Sequence, residues 1–191
     1  MPTLVMNHIT PEEQEIEGVI KFRLNHREAH LPSQKGLSEL NAWRNVLYEL
    51  RLTGQDASRY GGLGYGNMSI RMGESQFLIS GSQTGGIPKL GLHHYVLVTR
   101  ADPIENHIES VGPIKPSSES MTHAAAYAAA PWIQCVLHVH QPQIWADSEN
   151  LELPETPPHV AYGTVEMATA IAQLARETRG PIIAMKGHID G

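Results

Sequence analysis

The sequence predicts an α/β fold in which three layers, α/β/α, enclose a central mixed and largely antiparallel sheet. Two observations indicate this class. Strand-like segments pair as hairpins across glycine-rich turns, and helical segments lie between them without the regular strand–helix alternation of a parallel sheet. The 191 residues fit one domain that buries roughly two-thirds of the surface of its unfolded chain.

Three segments carry helical patterns. Apolar positions in residues 37–52 recur every three or four residues, and Gly54 supplies a C-terminal stop. Residues 118–130 are rich in alanine and end at Pro131, and residues 163–178 form the third segment. The first helix is predicted to be amphipathic, with an apolar face made of Leu40, Trp43, Leu47 and Leu50.

Residues 1–30 are predicted to form an N-terminal arm ahead of a domain spanning 31–191. The segment Thr10 to Glu13 has the residue types of a helix cap and first turn, so a short helix is expected within residues 10–25. Residues 26–36 are expected to connect this arm to the domain.

Strands are predicted from short apolar runs bounded by turn residues. A hairpin is expected from residues 68–71 and 76–80, because glycine-rich turns flank both segments. Further strands are expected at residues 94–99, within 102–115, at 135–140 and at 181–185.

Composition excludes several functional classes. The formal net charge is −6 and the Lys and Arg residues are scattered, which argues against nucleic acid or an anionic membrane as a partner. No stretch approaches the ~20 apolar residues of a membrane span, and the first residues lack the features of a signal peptide. The single cysteine, Cys135, lies in an apolar run and is expected to be a buried, inert thiol. These features favour a cytoplasmic protein.

Three histidines form a candidate metal site. His138 and His140 are two residues apart on a predicted strand, so both imidazoles share one face. His188 follows a glycine at the end of another predicted strand. Three neutral imidazoles suit Zn²⁺ and leave a coordination position open. A structural histidine pair is the alternative, and Glu119 with His123, four apart on one helix face, is a competing pair of ligands.

Serine and glycine residues form a candidate anion site. Ser117 and Ser118 precede the alanine-rich helix, where unpaired N–H groups attract anions, although simple helix capping also explains them. Glycine-rich turns near Asn67 and Ser82 add amide and hydroxyl donors, although each also suits an ordinary hairpin turn. The P-loop and dinucleotide-binding glycine motifs are absent from the sequence, which disfavours nucleotide binding.

Six ordered signals resemble those of the class II aldolase/adducin family, and the match runs from about residue 37 onward. The signals are Gly66-Asn67-Met68-Ser69, Ser80-Gly81-Ser82, Ser117-Ser118-Glu119, His138-Val139-His140, Tyr162-Gly163-Thr164 and Gly187-His188. The resemblance implies that His138, His140 and His188 hold Zn²⁺ and that Glu119 is the acid/base. It also implies that a substrate phosphate is held by Asn67, Ser82, Ser117 and Ser118.

The implied activity is that of a zinc-dependent carbon–carbon lyase of the aldolase type. Its substrate would be a small hydroxylated carbonyl compound such as a sugar phosphate, converted through a metal-stabilised enediolate. Epimerisation or dehydration on the same scaffold stays an alternative, as does a non-catalytic adducin-like interaction module. The family also implies a homotetramer with sites between subunits.

The sequence departs from the family pattern at two places. The family continues past the last His-Gly with a strand and a helix, so this chain is expected to be short at its C-terminal end. Gln83 stands where the family often has glycine, which leaves the nature of the anionic group open. A Schiff-base aldolase would require a buried lysine; only Lys186 lies near the predicted cleft, and the chain is shorter than the ~250 residues of a typical barrel.

Overall fold

A six-stranded mixed sheet forms the centre of this computed structural model, which describes residues 17–178 and 181–191. The strands are β1 (Arg23–Glu28), β2 (Gly54–Gln55), β3 (Gly64–Tyr65), β4 (Asn67–Arg71), β5 (Phe77–Ser80), β6 (Tyr95–Asp102), β7 (His107–Gly112) and β8 (Cys135–His138). The helices are α1 (Leu37–Glu49), α2 (Ser120–Ala129), α3 (Pro142–Ala146) and α4 (Val165–Glu177). The main sheet has the order β1-β7-β6-β5-β4-β8, and β2 pairs with β3 in a separate ladder.

The strand pairing confirms the prediction of a mixed, largely antiparallel sheet. β1 runs parallel to β7, whereas the other neighbouring strands of the main sheet are antiparallel. The predicted hairpin is formed by β4 and β5, with Ser69 opposite Ile79. β8 lies at the edge of the sheet, and its pairing with β4 places His138 opposite Asn67. Two signals that are 71 residues apart in the sequence therefore meet at one end of this strand pair.

Helices cover both faces of the sheet, which confirms the three-layer arrangement. On one face, Leu40 and Leu47 of α1 pack with Met68 and Leu78. On the other face, α2 and α4 pack on a cluster that includes Phe77, Ile79, Val96, Val98, Met121, Ala125 and Ala168. Because successive side chains of a strand point to opposite faces, β5 contributes to both clusters.

The three helices predicted between residues 37 and 178 are present, with small differences at their ends. α2 begins at Ser120 and α4 at Val165, where the Thr164 hydroxyl accepts a hydrogen bond from the N–H of Met167. α1 ends at Glu49, and part of its predicted apolar face is wrong: Trp43 and Leu50 are each 62% exposed.

The buried face of α1 includes a charged residue. Arg44 lies four residues after Leu40 and three before Leu47, so it shares their side of the helix, and all three are buried.

The N-terminal part of the described chain is a strand where a helix was expected. Residues 17–22 are not helical, and Arg23–Glu28 form β1, which joins the edge of the main sheet beside β7. Pairing with β7 and the packing of Leu24 against the core outweigh the local helix signal. The capping segment Thr10 to Glu13 lies outside the described residues.

Three predictions near the candidate site also need correction. The strand expected over 135–140 ends at His138, and residues 181–185 form an isolated bridge between Ala184 and Glu155 where a strand was expected. Cys135 is exposed, not buried, because β8 is an edge strand whose outer side is open within the described structure.

In the part of the chain that the structure describes, no helix has the length and apolar character needed to cross a bilayer.

Candidate metal and anion site

Three separate backbone constraints position the histidines of the candidate metal site. His138 ends β8, held by the ladder to β4. The N–H of His140 donates to the carbonyl of Leu52 at 2.9 Å, which fixes the chain just beyond the strand. His188 follows Gly187, where a Cβ atom would lie 1.8 Å from the carbonyl oxygen of Val160, so the close approach of these two backbone segments requires glycine.

The Tyr-Gly-Thr signal helps to place His188. Gly163 adopts φ 68°, a left-handed conformation that glycine tolerates, and Thr164 then caps α4. Tyr162, which precedes this turn, is buried and stacks on the His188 ring at 4.5 Å between centroids. The motif therefore orients an imidazole as well as starting a helix.

The three imidazoles converge. One ligating nitrogen from each of His138, His140 and His188 lies within 4.8 Å of the other two. The Nε2 atoms of His138 and His140 face each other at 3.0 Å, and the His188 ring lies 4.9 Å and 4.8 Å from the two other rings. All three side chains are buried. The structure thus brings together the three residues that the sequence singled out as ligands.

Burial favours the neutral form of the His138 and His140 imidazoles. It holds the pKa of His138 well below its ordinary range, and the neighbouring His140 and His188 rings lower it further. Burial has the same effect on the pKa of His140, again reinforced by His188. The buried Nδ1 of His140 has no hydrogen-bond partner among the described residues. Neutral imidazole is the form that binds divalent metals, so this donor set fits such an ion.

Glu119 lies beside the histidines without belonging to their cluster. Its Oε1 is 3.7 Å from Nδ1 of His188, and its side chain is only 1% exposed. Neither carboxylate oxygen has a well-formed hydrogen bond among the described residues. Burial raises the pKa of Glu119 above its ordinary value, although the nearby His188 opposes this shift. A buried carboxyl group with a raised pKa is the kind of group that serves as a general acid or base.

His123, the competing ligand of the sequence analysis, has a different environment. Its Nδ1 is 2.7 Å from the hydroxyl of Ser69, which also contacts the hydroxyl of Tyr127 at 2.7 Å. The side chain is fully buried, and burial lowers its pKa to about 3. Within the described chain, the metal-ligand cluster contains neither Glu119 nor His123.

The predicted anion-binding residues line one polar cleft. Its walls are formed by Glu17, Gly18, Gly64, Gly66, Asn67, Gly81, Ser82, Gln83, Thr84, Gly85, Ser117 and Ser118. Ser117 also stabilises the turn before α2, since its hydroxyl accepts the N–H of Glu119 at 3.2 Å. Asn67 is buried, and its Oδ1 has no hydrogen-bond partner in the described structure. A buried polar atom without a partner at the wall of a cleft is a candidate contact for a ligand.

Gln83 shapes the cleft where the family often has glycine. It adopts φ 59°, a conformation that is uncommon for residues other than glycine. Its Oε1 accepts the N–H of Gly64 at 2.9 Å, and its Nε2 approaches Gly18 so closely that a Cβ there would lie 2.2 Å away. The glutamine side chain therefore takes up one backbone donor of the cleft and contacts the N-terminal segment.

Two residues at the site, Glu17 and Tyr60, were missed from the sequence. Glu17 lines the cleft, is buried, and its Oε2 is 2.9 Å from Nε2 of His188. Tyr60 packs on the His140 ring at 4.7 Å between centroids, while its hydroxyl donates to Asp190 at 2.7 Å. Neither residue belongs to a motif, so only the three-dimensional contact identifies them.

Lys186, the candidate Schiff-base lysine, faces another part of the structure. Its Nζ donates to the carbonyl of Trp145 at 2.9 Å and contacts the Ser148 hydroxyl at 3.1 Å. It also lies over the Trp145 ring and does not line the cleft.

Comparison with known proteins gives a family match and partial relatives. The family model described as Class II Aldolase and Adducin N-terminal domain matches residues 56–184. A methylthioribulose-1-phosphate dehydratase from Leptospira interrogans serogroup Icterohaemorrhagiae serovar Lai is 38% identical over 81 residues, and one from Leptospira borgpetersenii serovar Hardjo-bovis is 40% identical over 82 residues. Each match covers 39% of this chain and 31% of the relative, so the chain matches about a third of the length of these curated relatives.

Solved structures share the fold. An L-fuculose 1-phosphate aldolase superposes with a TM-score of 0.59 at 23% identity, covering 84% of this chain and 75% of that chain. YgbL from Klebsiella pneumoniae superposes with a TM-score of 0.57 at 18% identity, covering 79% of this chain and 74% of that chain.

Proposed function

The chain belongs to the class II aldolase and adducin family, and on that premise we propose that it is a metal-dependent lyase acting on a small phosphorylated hydroxycarbonyl compound. The observation that carries the proposal is the position of Glu119, a buried carboxyl group 3.7 Å from an imidazole of the histidine cluster. Glu119 also follows Ser117 and Ser118 of the polar cleft directly in the chain. Proton transfer and anion binding would therefore occur side by side.

His138, His140 and His188 are the proposed protein ligands of a divalent ion. Zn²⁺ is the first candidate because three imidazoles with one open position suit it. When bound, the ion supplies Lewis-acid polarisation of the substrate oxygens. Burial lowers the pKa of His138 and of His140, which favours the neutral form that binds a metal.

Glu119 is the proposed acid/base. Burial raises its pKa, which favours the protonated form of the carboxyl group more than in water and suits a residue that both accepts and returns a proton. Its oxygens are not committed to strong hydrogen bonds within the described structure, which leaves them available to a substrate hydroxyl or carbon-bound proton.

The polar cleft is the proposed phosphate site. Asn67, Ser82 and Ser118 present amide and hydroxyl groups, and the glycines around them allow backbone N–H groups to approach an anion closely. A substrate bound through its phosphate would present its hydroxycarbonyl part to the neighbouring histidine cluster and Glu119.

Two reactions are compatible with this arrangement. In carbon–carbon cleavage, Glu119 accepts the proton of the hydroxyl group whose carbon becomes a carbonyl, and later returns a proton to the other fragment. In dehydration, Glu119 removes the proton next to the carbonyl and passes it to the neighbouring hydroxyl group, which then leaves as water. We retain dehydration as the second candidate because the curated relatives in the matched segment are methylthioribulose-1-phosphate dehydratases.

A homotetramer, which the family resemblance implies, is part of the proposal. Light scattering on the purified protein would measure its oligomeric state.

The test combines metal analysis with product analysis. Protein purified without added metal is expected to contain near-stoichiometric divalent metal. It is then incubated with L-fuculose 1-phosphate, whose cleavage gives two smaller fragments, and with methylthioribulose 1-phosphate, whose dehydration lowers the mass by one water. Turnover of either class that disappears with a chelator supports the proposal. Metal-free protein that gains no activity with Zn²⁺, Co²⁺, Mn²⁺ or Fe²⁺ would instead favour a non-catalytic interaction module.

A further inference from the structure

A buried arginine lies directly behind the loop that forms one wall of the polar cleft. Arg44 of α1 is 2% exposed. Its guanidinium donates to the carbonyl of Pro88 at 2.8 Å, to that of Gly85 at 2.8 Å and to that of Thr84 at 3.2 Å. Thr84 and Gly85 both line the cleft. The guanidinium is therefore one peptide unit away from the space in which an anion would bind.

These hydrogen bonds fix the direction of two peptide groups. In a trans peptide, the C=O of one residue and the N–H of the next point in opposite directions. With the carbonyls of Thr84 and Gly85 turned toward Arg44, the N–H groups of Gly85 and Gly86 point away from it. The amide nitrogen of Gly85 indeed lies beside Gly64, another residue of the cleft wall.

The charge of Arg44 has no acidic partner in the described structure. None of the ion pairs there includes Arg44, and its guanidinium instead stacks on Tyr48 at 4.6 Å. Burial lowers the pKa of the guanidinium, but from so high an ordinary value that the group stays charged at neutral pH. A desolvated cation without a counter-ion creates a positive potential that an anion in the adjacent cleft would neutralise.

We propose that Arg44 is a positioning residue for anion binding, which orients the N–H groups of the 84–86 loop toward the cleft and supplies a buried positive charge behind it. The inference rests on the proposed phosphate site. Arg44 does not contact the ligand itself, since backbone carbonyls take up its donors.

The structure supplies a matched control. Arg71 also donates to backbone carbonyls, those of Ile133, Tyr127 and Ala130, and also stacks on a tyrosine, at 4.7 Å from the Tyr127 ring. It lies away from the polar cleft, in a different depression of the surface. Loss of Arg71 should therefore reproduce the structural cost of losing such an arginine without affecting the cleft.

The experiment measures binding of inorganic phosphate by calorimetry at two salt concentrations, using the purified full chain with its metal. We expect Arg44→Met to weaken phosphate binding about tenfold or more and to reduce its dependence on salt, because both the loop geometry and the charge are lost. Arg44→Lys keeps the positive charge but cannot donate to all three carbonyls as the planar guanidinium does. Phosphate should therefore bind this variant more weakly than the wild type, with the same dependence on salt. Arg71→Met should lower the melting temperature and leave phosphate binding unchanged.

The outcomes separate the two proposals. Phosphate binding by the wild type that is equal in Arg44→Met and Arg71→Met would overturn the role of Arg44 and leave the phosphate site intact. No binding of phosphate by the wild type at millimolar concentrations would overturn both. If Arg44→Met does not fold, Arg44→Lys decides: unchanged affinity contradicts the positioning role.

Discussion

At the scale of single residues, the candidate metal site depends on three buried imidazoles whose ring nitrogens converge. Replacing His138, His140 or His188 by Ala removes one of three ligands, so we expect the metal affinity to fall by at least about a hundredfold in each variant. Metal content after dialysis and competition with a chromophoric chelator measure this effect. His159→Ala, which changes an exposed histidine, is the control. Full metal occupancy in all three site variants would show that the ion binds elsewhere.

Glu119 lies beside the histidine cluster but outside it. A variant at this position can therefore test the proposed proton transfer without removing a proposed metal ligand. Glu119→Gln keeps the shape of the side chain and removes its acid/base chemistry. We expect unchanged metal content and a loss of about 10²–10⁴ in turnover of any substrate found. The exposed Glu166→Gln serves as the matched control. Turnover that survives in Glu119→Gln would exclude this residue as the acid/base.

At the scale of elements, the segment before α2 combines a structural role with the proposed binding role, and the sequence could not separate the two. The Ser117 hydroxyl accepts the N–H of Glu119, whereas Ser118 lines the cleft. Ser117→Ala should therefore lower the stability by about 1 kcal/mol, as the loss of a hydrogen bond in a buried turn does. Ser118→Ala should weaken phosphate binding by roughly 1–3 kcal/mol with little effect on stability. Thermal unfolding and phosphate calorimetry on both variants measure the difference; the reverse pattern contradicts these assignments.

Elements built from local signals were predictable. The β4–β5 hairpin follows from two short apolar runs between glycine-rich turns, and α4 follows from its cap and periodicity. β1 was predicted as a connection and part of a helix because its pairing with β7 joins residues about 84 apart, which no local pattern encodes. The exposure of Cys135 has the same origin: the apolar run shows a strand, but its edge position depends on which strands pair.

At the scale of the whole molecule, the site is assembled from segments at both ends of the described chain. The histidine cluster and the serine-lined cleft could be predicted because each carries a compact motif. Glu17 and Arg44 could not, since a single glutamate before a glycine and an arginine within a helix resemble ordinary surface residues. Glu17 reaches His188 across 171 residues of sequence, and Arg44 supports the 84–86 loop from the opposite layer of the fold.

Burying neutral histidines should make the whole molecule sensitive to acid, and His123 allows this effect to be measured away from the metal-ligand cluster. Its pKa is about 3 in the folded protein and 6.5 without burial, so the unfolded chain takes up a proton that the folded chain refuses. Above pH 6.5, His123 is neutral in both the folded and the unfolded chain and does not lower the free energy of unfolding. As the pH falls from 6.5 toward 3, the unfolded chain binds the proton first, so the free energy of unfolding decreases. At pH 5, one and a half units below 6.5, the loss is about 2 kcal/mol relative to pH 8.

His123→Asn keeps a polar partner for Ser69 at the position of Nδ1 and removes the titrating ring. We expect the variant to be less stable than the wild type at pH 8, because the smaller side chain leaves a cavity. The difference should shrink by about 2 kcal/mol at pH 5, since only the wild type is destabilised by protonation of this residue. Urea unfolding in the presence of a chelator measures both values. The control is His159→Asn, which changes an exposed histidine and should show the pH dependence of the wild type. If His123→Asn also showed the pH dependence of the wild type, His123 would be protonated in the folded protein at pH 5.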